Sequence, residues 1–289
     1  MIRRMKSLRS AALLAALSFL PAVLPVQAAE VRLPQASPAA SVKTALGVTD
    51  VVIDYHRPAV KGRKVWGALV PFGEVWRLGA NEATTISFST PVRVEGHDVP
   101  AGKYALFAVP GQGSWTLILN KQADQWGAYD YKKEQDLLRF DVKPYTGPVT
   151  EWMLFTITPD GANAVMVEMA WETLRVPFRI ETDVQKAVWQ SLDNALAAKP
   201  DAQLYIQAAN YALSENERLD EAMGWADKSI ALQESFWNHE TKARLLQKQG
   251  KVPEALAHLD KAIDLAKGKA PQAYIDELEK LKGDWKKPA

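Results

Sequence analysis

Over residues 173–180, Leu174, Val176, Phe178 and Ile180 alternate with Thr173, Arg175, Pro177 and Arg179. A period of two with one polar face predicts a half-buried β-strand. Just upstream, Val165, Val167, Met169 and Trp171 share one side of another strand. Asp160-Gly161 marks the turn back to a strand over 151–158. Shorter runs follow the same logic at 84–90, 91–95, 103–109 and 114–120, punctuated by Gly96, Pro100-Ala101-Gly102 and Pro110-Gly111. The runs at 104–109 and 115–119 are apolar on both faces, as central strands are. Many short strands with no helical stretch between them predict an antiparallel, jelly-roll-like β-sandwich over residues 45–182.

After Asp183 the period becomes helical. Lys199-Pro200-Asp201 breaks the pattern and supplies a new N-cap. Gly250 closes one helix, and Pro253 and Pro271 open others. Leu213, Leu219, Ala222, Ala226 and Ile230 recur as Leu246, Val252, Ala255, Leu259 and Ile263, each displaced by 33 residues. A period near 34 with small residues at the helix contact resembles the tetratricopeptide repeat, although that repeat's tryptophan and tyrosine are not in place. The expected fold class is therefore α+β in two domains, with a tetratricopeptide-like helical domain over 183–289.

Composition adds location. Arg3, Arg4, Lys6 and Arg9 precede the apolar stretch 11–20, and Val26-Gln27-Ala28 fits a cleavage site. This reads as a Sec-type signal peptide over 1–28, followed by a flexible lead-in over 29–44, and implies a periplasmic or secreted protein. No later segment is long and apolar enough to span a bilayer. Cleavage after Ala28 takes the basic residues from 35 to 31 against 34 acidic ones, which argues against a nucleic-acid partner. The absence of cysteine excludes disulfides and thiolate chemistry.

The densest polar cluster lies between the strands. It is carried by Tyr55-x-Arg57-Pro58, Gly62-Arg63-Lys64-x-x-Gly67, Leu69-Val70-Pro71-Phe72-Gly73-x-Val75-Trp76-Arg77 and Gly79-Ala80-Asn81-Glu82-Ala83-Thr84. The pattern continues through Pro100-Ala101-Gly102-x-Tyr104-x-Leu106-Phe107, Trp115-x-x-Ile118-x-Asn120 and Gln125-Trp126-Gly127-x-Tyr129. Over roughly 50–180 the chain resembles the DUF2911 family, an exported bacterial domain with no settled activity. The resemblance implies a recurring domain and assigns no reaction.

Arg57, Arg63 and Arg77 present planar donors suited to a carboxylate or phosphate. The plainer reading, and the favoured one, pairs them with Asp54, Glu74 and Glu82. Asn81 either bonds a ligand or turns its own backbone. Glu82 either serves as acid/base or holds Arg77. Of Trp66, Trp76, Trp115 and Trp126, only Trp126 falls in an evident loop and is the best exposed aromatic contact. The four histidines form no ligand-spaced cluster and there is no Gly-x-Ser-x-Gly elbow, so neither metal nor any other cofactor is expected. Asp54, Glu82 and Asp124 are available as paired carboxylates, but sequence does not place them. The resulting expectation is a non-enzymatic binding or scaffold protein. Its ligand site would comprise Arg57, Arg63, Trp76, Arg77, Asn81, Glu82 and Trp126, holding a small polar or anionic ligand or a protein segment. The helices would meet a partner protein. Two alternatives stay open: an envelope hydrolase of saccharide material using Glu82, and a purely structural module.

Overall fold

The computed structural model describes residues 33–287. The signal-peptide expectation over 1–28 lies outside the described residues. Ten antiparallel strands are followed by six helices, an α+β architecture in two parts. The first sheet has six strands: β1 (Ala39–Leu46), β2 (Thr49–His56), β3 (Thr85–Phe88), β6 (Gly102–Val109), β7 (Trp115–Asn120) and β8 (Asp136–Val142). They lie in the order β1-β2-β3-β6-β7-β8. The second is β5-β4-β10-β9, formed from β4 (Val92–Val94), β5 (His97–Val99), β9 (Tyr145–Pro159) and β10 (Ala164–Glu181).

One core joins both sheets. Val51, Ile53, Leu106 and Leu117 from the first meet Met153, Val167, Trp171 and Phe178 from the second, all fully or nearly fully buried. At its centre Trp66, Trp76, Trp115 and Trp171 form a cluster with neighbouring rings 5.0–6.2 Å apart. The loop from Arg57 to Thr84 carries two of these rings. It is rich in proline, which cannot donate to a ladder, and glycine, which weakens one, yet Trp76 exchanges two backbone hydrogen bonds with Ala108.

Three expectations change. The lead-in gives way at Ala39, because Ala40 and Val42 pack on the core and the whole of β1 pairs with β2. The two strands expected at 165–171 and 174–180 are one strand, β10, kinked by a bulge. Glu172 takes a left-handed φ of 52° there and accepts hydrogen bonds from the Trp66 indole (3.1 Å) and the Thr173 hydroxyl (2.8 Å). Bulges add twist and re-aim side chains, so one strand presents two apolar sets. Strand β8, at the sheet edge, was not expected, although Leu138, Phe140 and Val142 alternate with Arg139 and Asp141.

The helices are α1 (Val184–Ala197), α2 (Ala202–Glu215), α3 (Leu219–Leu232), α4 (Phe236–Lys248), α5 (Val252–Ala266) and α6 (Gln272–Trp285). The 33-residue displacement is realised as two helix hairpins, α2–α3 and α4–α5. Ala222 and Ala255 are both fully buried. Asp183 and Asp201 cap α1 and α2.

Between α4 and α5, His239 and His258 face each other Nδ1 to Nδ1 at 2.8 Å, and His239 Nε2 lies 3.0 Å from Glu234 Oε1. One Nδ1 must donate and the other accept, so a second proton breaks the pair. Burial, then the charges of Lys242 and His239, hold His258 below the ordinary histidine value, against Asp227 and Glu254. A depressed histidine means that the unfolded chain binds the proton more readily. The stabilisation is therefore present above about pH 6.5, the unfolded value, and is lost as pH falls below it. Thermal melts from pH 7.5 to 5 should show a falling midpoint in the wild type and a flatter profile in His258→Gln. Equal slopes would remove the pair as the cause.

Candidate functional site

Period-two alternation on β2 turns Ile53 and Tyr55 into the core and leaves Asp54 and His56 on the outer face of the six-stranded sheet. Register places Ser41 and Thr85 on either side of Asp54, and Ala39 beside His56. Lys103 stands on the same face at the start of β6, opposite Ser87. Ala39, Ser41, Asp54, His56, Thr85 and Lys103 form the floor of a cavity of about 780 Å³.

The wall comes from two loops. Asn120 is fully buried and anchors the loop that follows it: Nδ2 donates to Lys132 O (3.0 Å) and Asp136 Oδ1 (2.9 Å), and Oδ1 accepts from Gln122 N (3.0 Å). Beneath this loop a second small core of Ala83, Ala105, Phe107 and Ile118 is covered by Ala128 and Tyr131. Burial and the neighbouring Asp136 carboxylate push the Tyr131 hydroxyl up to about 12, and it donates to Asp136 at 2.7 Å. On the other side Thr84 Oγ1 donates to Leu78 O at 2.7 Å and closes the turn before β3.

The two loops join as a one-residue antiparallel ladder. Ala83 N donates to Gln125 O and Gly127 N to Asn81 O, both at 3.0 Å, with Glu82 and Trp126 paired between them. This is the non-hydrogen-bonded type of pair, in which facing side chains approach most closely. Glu82 and Trp126 therefore stand side by side at the cavity rim, each about half exposed. Asn81 has φ 56°, and Gly127 has φ 67°. A Cβ at Gly127 would lie 2.7 Å from Arg77 Nη1 and 2.8 Å from the Tyr129 ring, so the loop needs glycine there.

The charges in the cavity are mainly acidic. Asp54, Glu82 and Asp124 line it with Lys103 and His56. His56 Nδ1 is 3.3 Å from Glu82 Oε2, and Lys103 Nζ is 3.9 Å from the open carboxylate of Asp124. Gln125, which is only 8% exposed, also contributes to the wall; its Oε1 has no hydrogen-bond partner.

The expected site residues divide. Glu82 and Trp126 are together in the cavity. Trp76 belongs to the tryptophan core, its indole donating to Gly79 O. Arg77 lines a separate hollow of about 260 Å³ with Val75, Trp76, Ala128 and Tyr129, behind the loop junction; its Nε is buried without an acceptor. Asn81 Nδ2 donates to Ser37 O at 3.2 Å. Arg57 Nε donates to Met153 O (3.0 Å), while Arg63 Nε and Nη2 donate to Val60 O (3.0 Å) and Ala59 O (2.5 Å). The expected pairing with Asp54, Glu74 and Glu82 is not formed: among the described residues none of the three arginines has a carboxylate at ion-pair distance. Carbonyls of the loop itself (Ala59, Val60) and of β9 (Met153) take donors of Arg57 and Arg63 instead, because loop backbone without a ladder leaves acceptors to satisfy. The arginine whose side chain is most deeply buried is Arg175, which donates to Pro148 O, Leu174 O and Thr150 Oγ1.

His56 and Lys103 were missed as site residues, and Asp54 and Asp124, named with Glu82 only as carboxylates available for pairing, were not assigned to the ligand site. Alternation on β2 carries a signal for Asp54 and His56. Nothing in the sequence brings Asp124 over them. Among the described residues no group of three or more His, Cys, Asp or Glu side chains is placed to hold a metal ion, and no helix is long and apolar enough to cross a membrane.

Comparison with known proteins adds one family. The model of DUF2911, described as a protein of unknown function, matches residues 37–180. The match ends as β10 ends, so the helices stand on their internal repeat alone. No curated protein and no solved structure matches the chain. The match covers β1 to β10 almost end to end, including both loops that wall the cavity, and the β-sandwich of this chain belongs to the DUF2911 family.

Proposed function

We propose that the protein is an exported, non-catalytic binding protein whose DUF2911 domain takes a small polar ligand in the cavity on the outer face of the six-stranded sheet. The observation that carries this reading is the meeting of a half-exposed tryptophan, Trp126, with Asp54, Glu82, Asp124, Lys103 and His56 around about 780 Å³. A pocket of this size suits a small molecule, with a few polar groups to orient it. We favour this cavity over the anion clamp, because Arg57 Nε and two donors of Arg63 go to backbone carbonyls and Arg77 lines a separate hollow. In the same proposal the paired helices α2–α5, read as tetratricopeptide-like, contact a protein partner.

A thermal-shift panel of sugars, amino acids, amines and phosphates tests the cavity. A ligand at a hundred times its Kd stabilises by about 2.7 kcal/mol. Trp126→Ala should abolish most of that shift while leaving the unliganded midpoint near the wild-type value, because the ring is 55% exposed. An undiminished shift in this variant would sink the site.

One observation favours a second reading, a hydrolase of saccharide material: Asp54 and Asp124 share the cavity with Glu82, which faces His56. Against it, the Glu82 side chain is 54% exposed and lacks the dry surroundings of a typical carboxyl acid. Turnover of aryl glycosides that vanishes in Glu82→Gln would make this the better reading.

A further inference from the structure

We infer that the cavity selects an organic cation, a ligand carrying a protonated or quaternary nitrogen. The inference rests on the binding reading above and names its ligand class. Three independent features point the same way. The first is charge: three carboxylates line the cavity against one lysine. Among the described residues Asp54 has no ion-pair partner, and Lys103 meets Asp124 only at 3.9 Å. An anion entering there meets net repulsion, and a cation meets acceptors already in place.

The second feature is the Trp126 ring, 55% exposed at the rim beside Glu82. Tryptophan has the best aromatic face for a cation, and its exposed surface is free of any ring or cation contact among the described residues. The protein's own cation–π contacts are elsewhere, where Arg218 covers Trp189 and Trp225 and Lys228 covers Tyr205. The third feature is Gln125. It is 8% exposed, contributes to the cavity wall and has a side-chain carbonyl without a donor. A buried acceptor left unmatched is uncommon in a folded protein. What the oxygen lacks is an N–H or O–H, which a protonated amine carries and a quaternary nitrogen does not; the oxygen is itself covered, so a ligand meets it only if the Gln125 side chain turns. A neutral saccharide would need donors from the wall as well as acceptors, and the wall's charged groups are mostly acceptors.

Isothermal titration with choline chloride, 1,5-diaminopentane, glucose and inorganic phosphate reads the class directly. The indole resonance of Trp126, assigned by its loss in Trp126→Phe, reads the place. Choline or the diamine should bind and shift that resonance. Affinity should fall about tenfold or more in Trp126→Ala and in Asp54→Asn, and should weaken as sodium chloride is raised from 20 to 500 mM, since the Debye length then shrinks to a few ångströms. Unchanged melting midpoints verify that both variants fold. Glucose binding that shifts Trp126 and ignores Asp54→Asn overturns the cation while leaving the cavity as a site. Phosphate binding with the same shift overturns it likewise. Binding of choline or the diamine that leaves the Trp126 resonance unmoved overturns both the cation and the cavity. No heat from either amine at 10 mM overturns the cation inference, and an unmoved Trp126 resonance with every probe overturns the cavity as well.

Discussion

Trp171→Ala should destabilise the β domain by about 3–5 kcal/mol, the usual cost of emptying a buried tryptophan site. That is a large share of the roughly 5–15 kcal/mol by which a folded protein outlasts its unfolded chain. Trp171 is 1% exposed, stacks on Trp76 at 5.8 Å and meets Trp66 edge-on at 5.6 Å. Its removal takes one ring contact from each of Trp66 and Trp76, which keep each other and Trp115, and leaves a cavity at the centre of the core. The indole Nε1 of Trp171 is buried with no acceptor. An unmatched buried donor costs about 1–3 kcal/mol. Trp171→Phe deletes that donor and keeps most of the ring contact, so its net cost should stay below about 1.5 kcal/mol, within the range of core swaps that nearly conserve volume. Urea unfolding of both variants checks the pair. A loss well above about 1.5 kcal/mol in Trp171→Phe would mean that the orphan N–H carries little penalty.

Asn238→Ala should cost the helical part about 2–3 kcal/mol, which is large for a polar side chain, because several bonds fail together. Asn238 is 1% exposed in the first turn of α4. Its Nδ2 donates to Gln233 O (2.8 Å) and Ser229 Oγ (3.2 Å), and its Oδ1 accepts from Ser235 N (3.0 Å). Ser235 returns the contact by accepting from Asn238 N at 3.3 Å, which completes a capping box. Ser229 in turn donates to Ala202 O at the start of α2 (2.8 Å). One amide thus ties the end of α3, the start of α4 and the hairpin before them. Asn238→Asp keeps the acceptor for Ser235 N but turns a carboxylate toward the Gln233 carbonyl in a buried place, so it should not rescue stability. Chemical denaturation followed at 222 nm checks both substitutions. Full rescue by aspartate would reduce the role of Asn238 to its cap.

Strands whose apolar residues alternate or run continuously were readable in advance: β6, β7, β9 and most of β10. The helix boundaries at Asp201, Gly250 and Pro253 were readable too, since capping and proline effects act within a turn. Strands β1 and β8 were not. Both are edge strands of the six-stranded sheet; each carries a period-two pattern that is short and set among small or charged residues. The bulge at Glu172 was also invisible. A glutamate at positive φ is disfavoured locally and is held there by the Trp66 indole and Thr173, which are tertiary and bulge contacts.

For the site, the sequence by itself determined the family, the two-part α+β order and the loop tryptophan, Trp126. These depend on local composition, spacing and periodicity. It did not determine which polar residues converge. The arginine-rich segment drew attention through density alone, yet its guanidiniums serve carbonyls of the loop and of β9 or sit behind the wall. Only the tertiary structure paired Glu82 with Trp126 and laid Asp124 over Asp54, His56 and Lys103. The physical reason is reach. Side-chain spacing predicts neighbours within one strand or helix, whereas this cavity depends on register across four strands and on two loops joined by a pair of backbone hydrogen bonds.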